Sequence, residues 1–453
     1  MGKIKLCVNT QTPLVRFKLS YEEILEKYGH LHGPINLENL AENEDYQFTP
    51  GGVAEMTYSI LKKFMVKGYV SSPKWVSLNP NAPPEILYEG LHIHNIRLPK
   101  VYVPRYTGFK EEIWREIHGL GRTEIKIEDY EAYAYYNWLC AQTMLKFLPD
   151  VDLFWIHDFQ QLQVGSMIGP SAPTVFRWHI PFNLKFVSPK LRNFITRNIE
   201  NYDAIIVSTK RDLEGLIRVG YRGKAYQVYP YIDPEKWEKV GDTKLNETLA
   251  RFDIQEDDEI LLVVARMDRV KGQDVAIKAF SFVKRENPHA KLLLVGDGSF
   301  TSTSLGHSKG ESWRSELKRL VEEFKINDSV KFCGYVDDTT LKCLYMRADV
   351  VLLPSLMEGF GLTVVEAWNY MKPVIVSRGA GASELIIENV NGFTHKPQNH
   401  EELANKVNYL LKHKEKALKM GEVGYETSKQ CSITVAIERL KTVFEDVLKT
   451  NKS

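Results

Sequence analysis

The chain is 453 residues long, more than one common domain holds and enough for two of about 200 residues each. Its 59 lysines and arginines against 58 aspartates and glutamates leave a net charge of +1, which gives no global field to draw in nucleic acid or an anionic membrane. The longest apolar stretches run for only about four to eight residues, short of a bilayer-spanning helix, and the five scattered cysteines (Cys7, Cys140, Cys333, Cys343, Cys431) contain no C-x-x-C and read as buried thiols of a reducing cytoplasm.

The opening MGKIKLCVNT lacks a signal-peptide core, so a soluble cytoplasmic protein is expected, and residues 3–9 read as the first strand. Residues 11–49 then show no clear period beyond a basic-aromatic piece (Arg16, Phe17, Lys18) and a short helix at Tyr21–Tyr28. A stretch of about forty residues without a period reads as a lid or an insertion. Pro50-Gly51-Gly52 opens a helix over 53–67, in which Val53, Met56, Ile60 and Phe64 recur every three to four residues. Glycines at a helix start bare backbone N–H groups that suit an anion or sugar hydroxyls. Strands follow at 74–80 and 91–99, then helices at 105–120 and 127–148, the second rich in aromatic residues that read mainly as core. Asp150-Val151-Asp152 precedes a strand instead of following one and reads as a turn, not a metal-binding D-x-D.

That strand, 153–156, ends in His157-Asp158-Phe159-Gln160, and the next, 174–180, carries Arg177, Trp178 and His179 at its end. Ligands of open α/β sheets bind at the carboxyl ends of strands, so both histidines are candidates. A helix (191–201), a strand (204–208), a helix (210–219) and a strand (224–229) lead to the proline-rich 229–234, which closes the first domain, and the polar 241–258 reads as a linker.

The second domain opens with the apolar strand 259–267, a turn carrying Arg266 and Lys271, and the helix Gln273–Glu286. Ala290–Val295 runs into Gly296-Asp297-Gly298, which is not G-x-G-x-x-G and implies no dinucleotide. A strand at 330–336, a helix at 340–347 and the buried strand Val350–Leu353 lead to Glu358-Gly359-Phe360-Gly361, where two glycines are free to take positive φ. The helix 362–371 follows, Lys372-Pro373 stops it, and Val374-Ile375-Val376 opens the next strand. The N–H groups of Gly361, Leu362 and Thr363 form another cradle, bracketed by Glu358 and Glu366. Helices at 401–411, Lys414–Ser428 and 435–448 complete the chain, and no set of histidine, cysteine or carboxylate residues has metal-ligand spacing.

The string EGFGLTVVE, two glutamates seven residues apart followed by an apolar helix and a KPVI strand, resembles the donor-site motif of retaining glycosyltransferases of family 4. The resemblance implies the α/β GT-B architecture, two Rossmann-like domains facing across a cleft. Residues 1–240 would be the acceptor-binding domain with 11–49 as its lid or insertion, 241–430 the nucleotide-sugar domain, and 431–453 a helix crossing back. Arg266 and Lys271 match the family's R-x4-K pair on the donor diphosphate, and Tyr335, in GYV, matches the segment that meets the nucleobase. Glu358 would accept hydrogen bonds from sugar hydroxyls and Glu366 from the ribose, with Gly52, Gly359, Phe360, Gly361, Leu362 and Thr363 completing the donor cradle. A unit charge pair at about 4 Å is worth roughly 4 kcal/mol at an effective dielectric near 20, so the cations belong beside the diphosphate and Glu358 away from it.

GGVAEM, HDFQ and RWHI are similar to segments of the trehalose-synthesising branch of that family, although Phe159 and Pro181 depart from its pattern. This places His157, Asp158, Gln160 and Arg177 at the acceptor and assigns His179 to the donor sugar and the developing positive charge. The expected function is metal-independent, retaining transfer of a hexose, glucose foremost, from a nucleotide sugar to a small sugar acceptor such as glucose, giving trehalose. The nucleotide sugar is a co-substrate and no cofactor is implied. No nucleic-acid partner is expected, and a homo-oligomer is compatible with the sequence. A glucan or lipid-linked acceptor is the alternative, the latter served by the basic residues Lys185, Lys190, Arg192 and Arg197. A non-catalytic nucleotide-sugar sensor is disfavoured because Arg266, Lys271, Glu358 and Glu366 are all present.

Overall fold

The computed structural model of the protein describes residues 3–29, 33–49, 52–122, 124–298 and 304–450. Two compact units emerge, Met1–Val228 with Ile437–Ser453, and Tyr229–Ala436. Each is an α/β unit built on a parallel sheet, and among the described residues no helix is long and apolar enough to cross a membrane.

In the first unit nine of the described strands form one sheet. From Leu6–Thr10 the chain moves to Lys74–Leu78 on one side and later to Leu153–His157 on the other, then outward through Thr174–Arg177, Ala204–Val207 and Lys224–Gln227. The reversal of direction between Leu6–Thr10 and Leu153–His157 is a topological switch point, where an open sheet leaves a crevice at its carboxyl edge. The outer strand Glu85–Tyr88 runs antiparallel to Leu91–Ile96. The helices Tyr102–Ile117 and Ile127–Leu145 pack as a pair, burying Tyr106, Phe109, Tyr133 and Tyr136 against Val76, Phe154 and Phe176, so the aromatic helix is core on that face. The last helix, Ile433–Thr450, belongs to the first unit from Ile437 onward, where Phe444 packs on Phe64 and Trp155.

The stretch without a clear period is structured, and its expected helix is present. Residues 11–49 contain an antiparallel pair, Val15–Phe17 with Tyr46–Phe48, and the helix Tyr21–Tyr28, capped by a reciprocal Ser20 and Glu23 box. Its strands are two or three residues long, too short to display a period, yet Leu14, Val15, Ile24, Ile35, Leu37 and Tyr46 are buried. Fully buried Asp45 ties it together by accepting hydrogen bonds from the Ala41 N–H (2.8 Å), the Tyr28 hydroxyl (2.5 Å) and the Lys27 ammonium (2.7 Å). Burial works to raise its carboxyl pKa, but the bonds from Lys27 and Tyr28 outweigh it and hold the group below its ordinary value. Asp45→Ala is expected to destabilise the first unit by about 1–3 kcal/mol in urea denaturation, because it leaves a part-buried N–H and a hydroxyl without their acceptor. In the wild type this stabilisation should be complete above about pH 3.9 and fade as pH falls through the lowered folded-state pKa.

The second unit is a six-stranded parallel sheet in the order Val330–Gly334, Ala290–Val295, Glu259–Val264, Val350–Leu353, Val374–Ser377, Phe393–His395. Its central strands are largely apolar because helices cover both faces. Leu261, Val263, Leu292, Leu294, Val350 and Leu352 face one cluster, and Ile260, Leu262, Leu293, Val295, Val351 and Leu353 the other. The expected linker 241–258 is corrected to a helix, Asp242–Arg251, whose Leu249 packs on the second cluster together with Phe252 just beyond it. A further helix, Ser304–Glu323, has no counterpart in the sequence reading; its buried Trp313, Leu317 and Val321 follow a polar start that masks the period.

Candidate functional site

The switch point of the second sheet lies between Glu259–Val264 and Val350–Leu353. The turn carrying Arg266 and Lys271 leaves the first of these strands and the EGFG loop leaves the second, so two motifs far apart in the chain meet because their strands are neighbours. The loops are zipped together. Leu356 N–H donates to the Val270 carbonyl (2.8 Å), Thr363 Oγ1 donates to the Val264 carbonyl (3.2 Å), and Lys271 Nζ forms an ion pair with Glu358 Oε2. Ser355 Oγ donates to the same carboxylate oxygen (3.3 Å). Behind the turn, buried Gln273 donates from Nε2 to the Arg266 carbonyl (2.7 Å) and accepts from Trp313 Nε1 (3.1 Å), fixing the backbone from which the exposed Arg266 projects.

Glu358 is held by the following glycine-rich loop: its N–H donates to the Gly379 carbonyl (3.2 Å) and its carbonyl accepts from Gly381 N–H (3.1 Å). Of the two motif glycines, Gly361 alone takes positive φ, +103°, capping the helix Leu362–Asn369 without a side-chain bond; Gly359 does not need the freedom expected of it. Phe360 turns inward against Tyr229 and is buried, so its side chain belongs to the core while Gly359, Leu362 and Thr363 remain half-buried at the loop. Glu366, on the helix, accepts from the Tyr345 hydroxyl (2.6 Å). Tyr335 stands beyond Val330–Gly334 with 53% of its surface exposed. Sequence reasoning missed Tyr345, Ser355 and Gln273, each of which reads as ordinary core or turn until its partner is known.

In the first unit, His157 and Arg177 are register partners at the carboxyl ends of adjacent strands. Asp158 follows at φ +66°, ψ +167°, a backbone conformation that glycine alone adopts readily, at a cost of about 1–3 kcal/mol. It is held there by its N–H on the Arg177 carbonyl (2.7 Å) and by its carboxylate, which accepts from His179 N–H (3.4 Å). Burial pushes the Asp158 carboxyl up to about 7, against hydrogen bonds from the Phe159 and His179 N–H groups that act to lower it. Arg177 is buried and reaches the Val228 carbonyl with Nη2 (3.3 Å). Gln160 is half-buried, and its carbonyl accepts from Asn137 Nδ2 (3.1 Å). His179 is half-buried beside His157. Gly52 begins the helix Gly52–Val66 with φ +66°, while Pro50 and Gly51 of the expected glycine turn lie outside the described residues. Among the described residues no group of three histidine, cysteine or carboxylate side chains is placed to hold a metal ion.

Comparison with known proteins follows the same division. The family "Glycosyl transferases group 1" matches residues 246–427, and the family "Trehalose synthase, N-terminal domain" matches residues 106–213. A trehalose synthase of Pyrococcus horikoshii is 29% identical over 325 residues, covering 70% of this chain and 75% of that protein. One of Thermococcus litoralis is 30% identical over 301 residues, covering 64% of this chain and 69% of that protein. The crystal structure of Anabaena HepE in complex with UDP and glucose matches with a TM-score of 0.68 at 17% identity, over 98% of this chain and 99% of that one.

Proposed function

Because the chain belongs to the group 1 glycosyl transferases, with GT-B fold and a first unit of the trehalose synthase type, we propose that it moves glucose from a nucleoside diphosphate glucose to a small sugar, with retention and without a metal ion. The observation that carries this is the zipped pair of loops holding Arg266, Lys271 and Glu358 at the switch point of the second sheet. An ammonium has three donors, and Lys271 spends one on Glu358, leaving two for phosphate oxygens. Lys271 thereby stands between the diphosphate and a carboxylate that faces the sugar. As the bond from the anomeric carbon to the phosphate oxygen breaks, a further negative charge develops on the leaving diphosphate. Arg266 and Lys271 stabilise that charge more in the transition state than in the bound donor, which is what acceleration requires.

Retention follows if the acceptor hydroxyl attacks from the face the diphosphate leaves. The new bond joins the acceptor oxygen to the anomeric carbon, and the acceptor proton passes to a phosphate oxygen, so no separate protein base is needed. Glu358 accepts hydrogen bonds from hydroxyls of the transferred sugar, and Glu366, oriented by Tyr345, accepts from the ribose. The trehalose synthase relatives and the glucose bound by HepE support glucose as the sugar and glucose or a similar small sugar as the acceptor.

The test is nucleoside diphosphate release from UDP-, ADP- and GDP-glucose, with and without EDTA, across acceptors that include glucose, an α-glucan and a lipid phosphate. A non-reducing disaccharide with an α-linkage, formed equally well in EDTA, is the expected result. Loss of turnover in EDTA would overturn metal independence, and turnover only on polymer or lipid would overturn the small-sugar acceptor. No release from any donor would favour a nucleotide-sugar sensor.

A further inference from the structure

His157 closes its strand with 1% of its surface exposed, packed on Trp155 at a ring separation of 4.3 Å. With the Gln161 amide turned to the orientation in which its nitrogen and oxygen both find partners, it donates to the His157 carbonyl (2.6 Å) and accepts from Gln11 N–H (2.6 Å). Nδ1 of His157 lies 3.0 Å from Nε2 of His179, with the rings only 14° from coplanar and their centroids 5.2 Å apart. The two nitrogens therefore meet edge to edge, a geometry that holds one proton between a donor and an acceptor.

The far edge of His157 decides which ring donates. Its Nε2 is buried and has no hydrogen-bond partner among the described residues. Were His179 the donor, His157 would carry its own proton on Nε2 and bury an orphaned N–H. With His157 donating, Nε2 keeps only an unused lone pair, and among buried backbone groups under-used acceptors are the more tolerated case. The neutral form of both rings is favoured. Burial, then His179 and Arg177, hold His157 well below the usual histidine range, and burial with Arg177 does the same for His179.

We infer that His157 is a positioning residue that donates from Nδ1 to Nε2 of His179 and so fixes His179 in the tautomer whose proton sits on Nδ1. His179 then offers its ligand a donor and no basic nitrogen, which suits an oxygen of the bound sugar and excludes a role as general base. His157, sealed beneath it, does not touch the acceptor. Only the identity of that ligand rests on the proposed glycosyl transfer; the tautomer itself does not.

Long-range proton–nitrogen correlation spectra of histidine-labelled protein report which nitrogen of each ring is protonated. His157→Asn and His179→Asn identify two of the 12 histidines. The expected wild-type result near pH 7.5 is a proton on Nδ1 of both rings, and in His157→Leu a mixture of tautomers at His179. A wild-type His179 protonated on Nε2 overturns the inference outright. In the transfer assay His157→Leu should lose about 10–100-fold in kcat, the scale seen when a group that orients a functional histidine is removed. His157→Asn, whose amide keeps an N–H near the Nδ1 position, should recover most of it; a leucine variant as fast as wild type, or no recovery with asparagine, contradicts the role. If no donor turns over at all, the transfer reading fails while the spectra still decide the tautomer.

Discussion

Lys271→Ala is expected to lower kcat about 1,000-fold with the preferred nucleotide sugar while the protein remains folded. A unit charge at about 4 Å from the leaving diphosphate is worth roughly 4 kcal/mol at an effective dielectric near 20, and each 1.36 kcal/mol or so of barrier is a factor of ten. The side chain is well placed to act at that strength, since Lys271 is 14% and Glu358 20% exposed, enough shielding to limit screening by water. The substitution also leaves Glu358 without its cation, although Ser355 still donates to it. We expect a stability loss of about 1–3 kcal/mol from that partly shielded carboxylate, below the cost of breaking a fully buried pair. Glu358→Gln separates the two roles. If the carboxylate faces the sugar, affinity for the free nucleoside diphosphate, measured by calorimetry, should hold or improve while transfer collapses. Wild-type turnover in Lys271→Ala would remove the lysine from the diphosphate, and a glutamine variant that binds diphosphate worse would remove Glu358 from the sugar side.

How far this site is legible in the sequence depends on the length scale of each interaction. The run Val350–Leu353 reads as a buried strand because both of its faces are covered, and the glycine after it announces a turn into a helix. Arg266 and Lys271 are likewise visible as cations at a strand end. What the residues do not reveal is that Glu259–Val264 and Val350–Leu353 are neighbours, and it is that pairing which joins Lys271 to Glu358 across 87 positions. Phe360 misleads for the opposite reason: its place within the motif suggests a ligand contact, yet a large apolar ring gains more by packing on Tyr229 than by facing water. Tyr345 reads as a core residue of its helix and is one, except that its hydroxyl reaches Glu366. Residues 11–49 defeat periodicity because their strands are too short to express one, and their order comes from Asp45 and a handful of buried apolar residues. His157 is visible as a strand-end histidine, but its position beneath His179 follows from its burial and its contact with that ring.

Gly272→Ala should disrupt the fold and the site together, lowering stability by about 2–5 kcal/mol and donor affinity at the same time. Gly272 sits at φ +70°, where an L-residue is strained, and a Cβ there would lie 2.3 Å from the Pro354 carbonyl oxygen. Backbone strain of this kind costs about 1–3 kcal/mol and overpacking a similar amount, and neither neighbour can yield cheaply. On one side Gly272 starts the helix Gln273–Glu286, accepting from Ala276 N–H (3.1 Å); on the other Pro354 belongs to the loop that carries Glu358. Relief requires the two loops to part, which breaks the Leu356 to Val270 bond and moves Lys271 relative to Glu358. A displacement of about 1 Å in a positioning element can cost on the order of 100-fold in rate. For a unit of this size the stability loss should appear as a fall in melting temperature of roughly 5–15 °C, with the donor KM rising in the same variant. Gly241→Ala, whose added methyl group meets nothing within 4 Å, serves as the control and should leave both quantities near wild type. If Gly272→Ala melts and binds donor as the wild type does, the two loops do not form the contact that holds Lys271 beside Glu358.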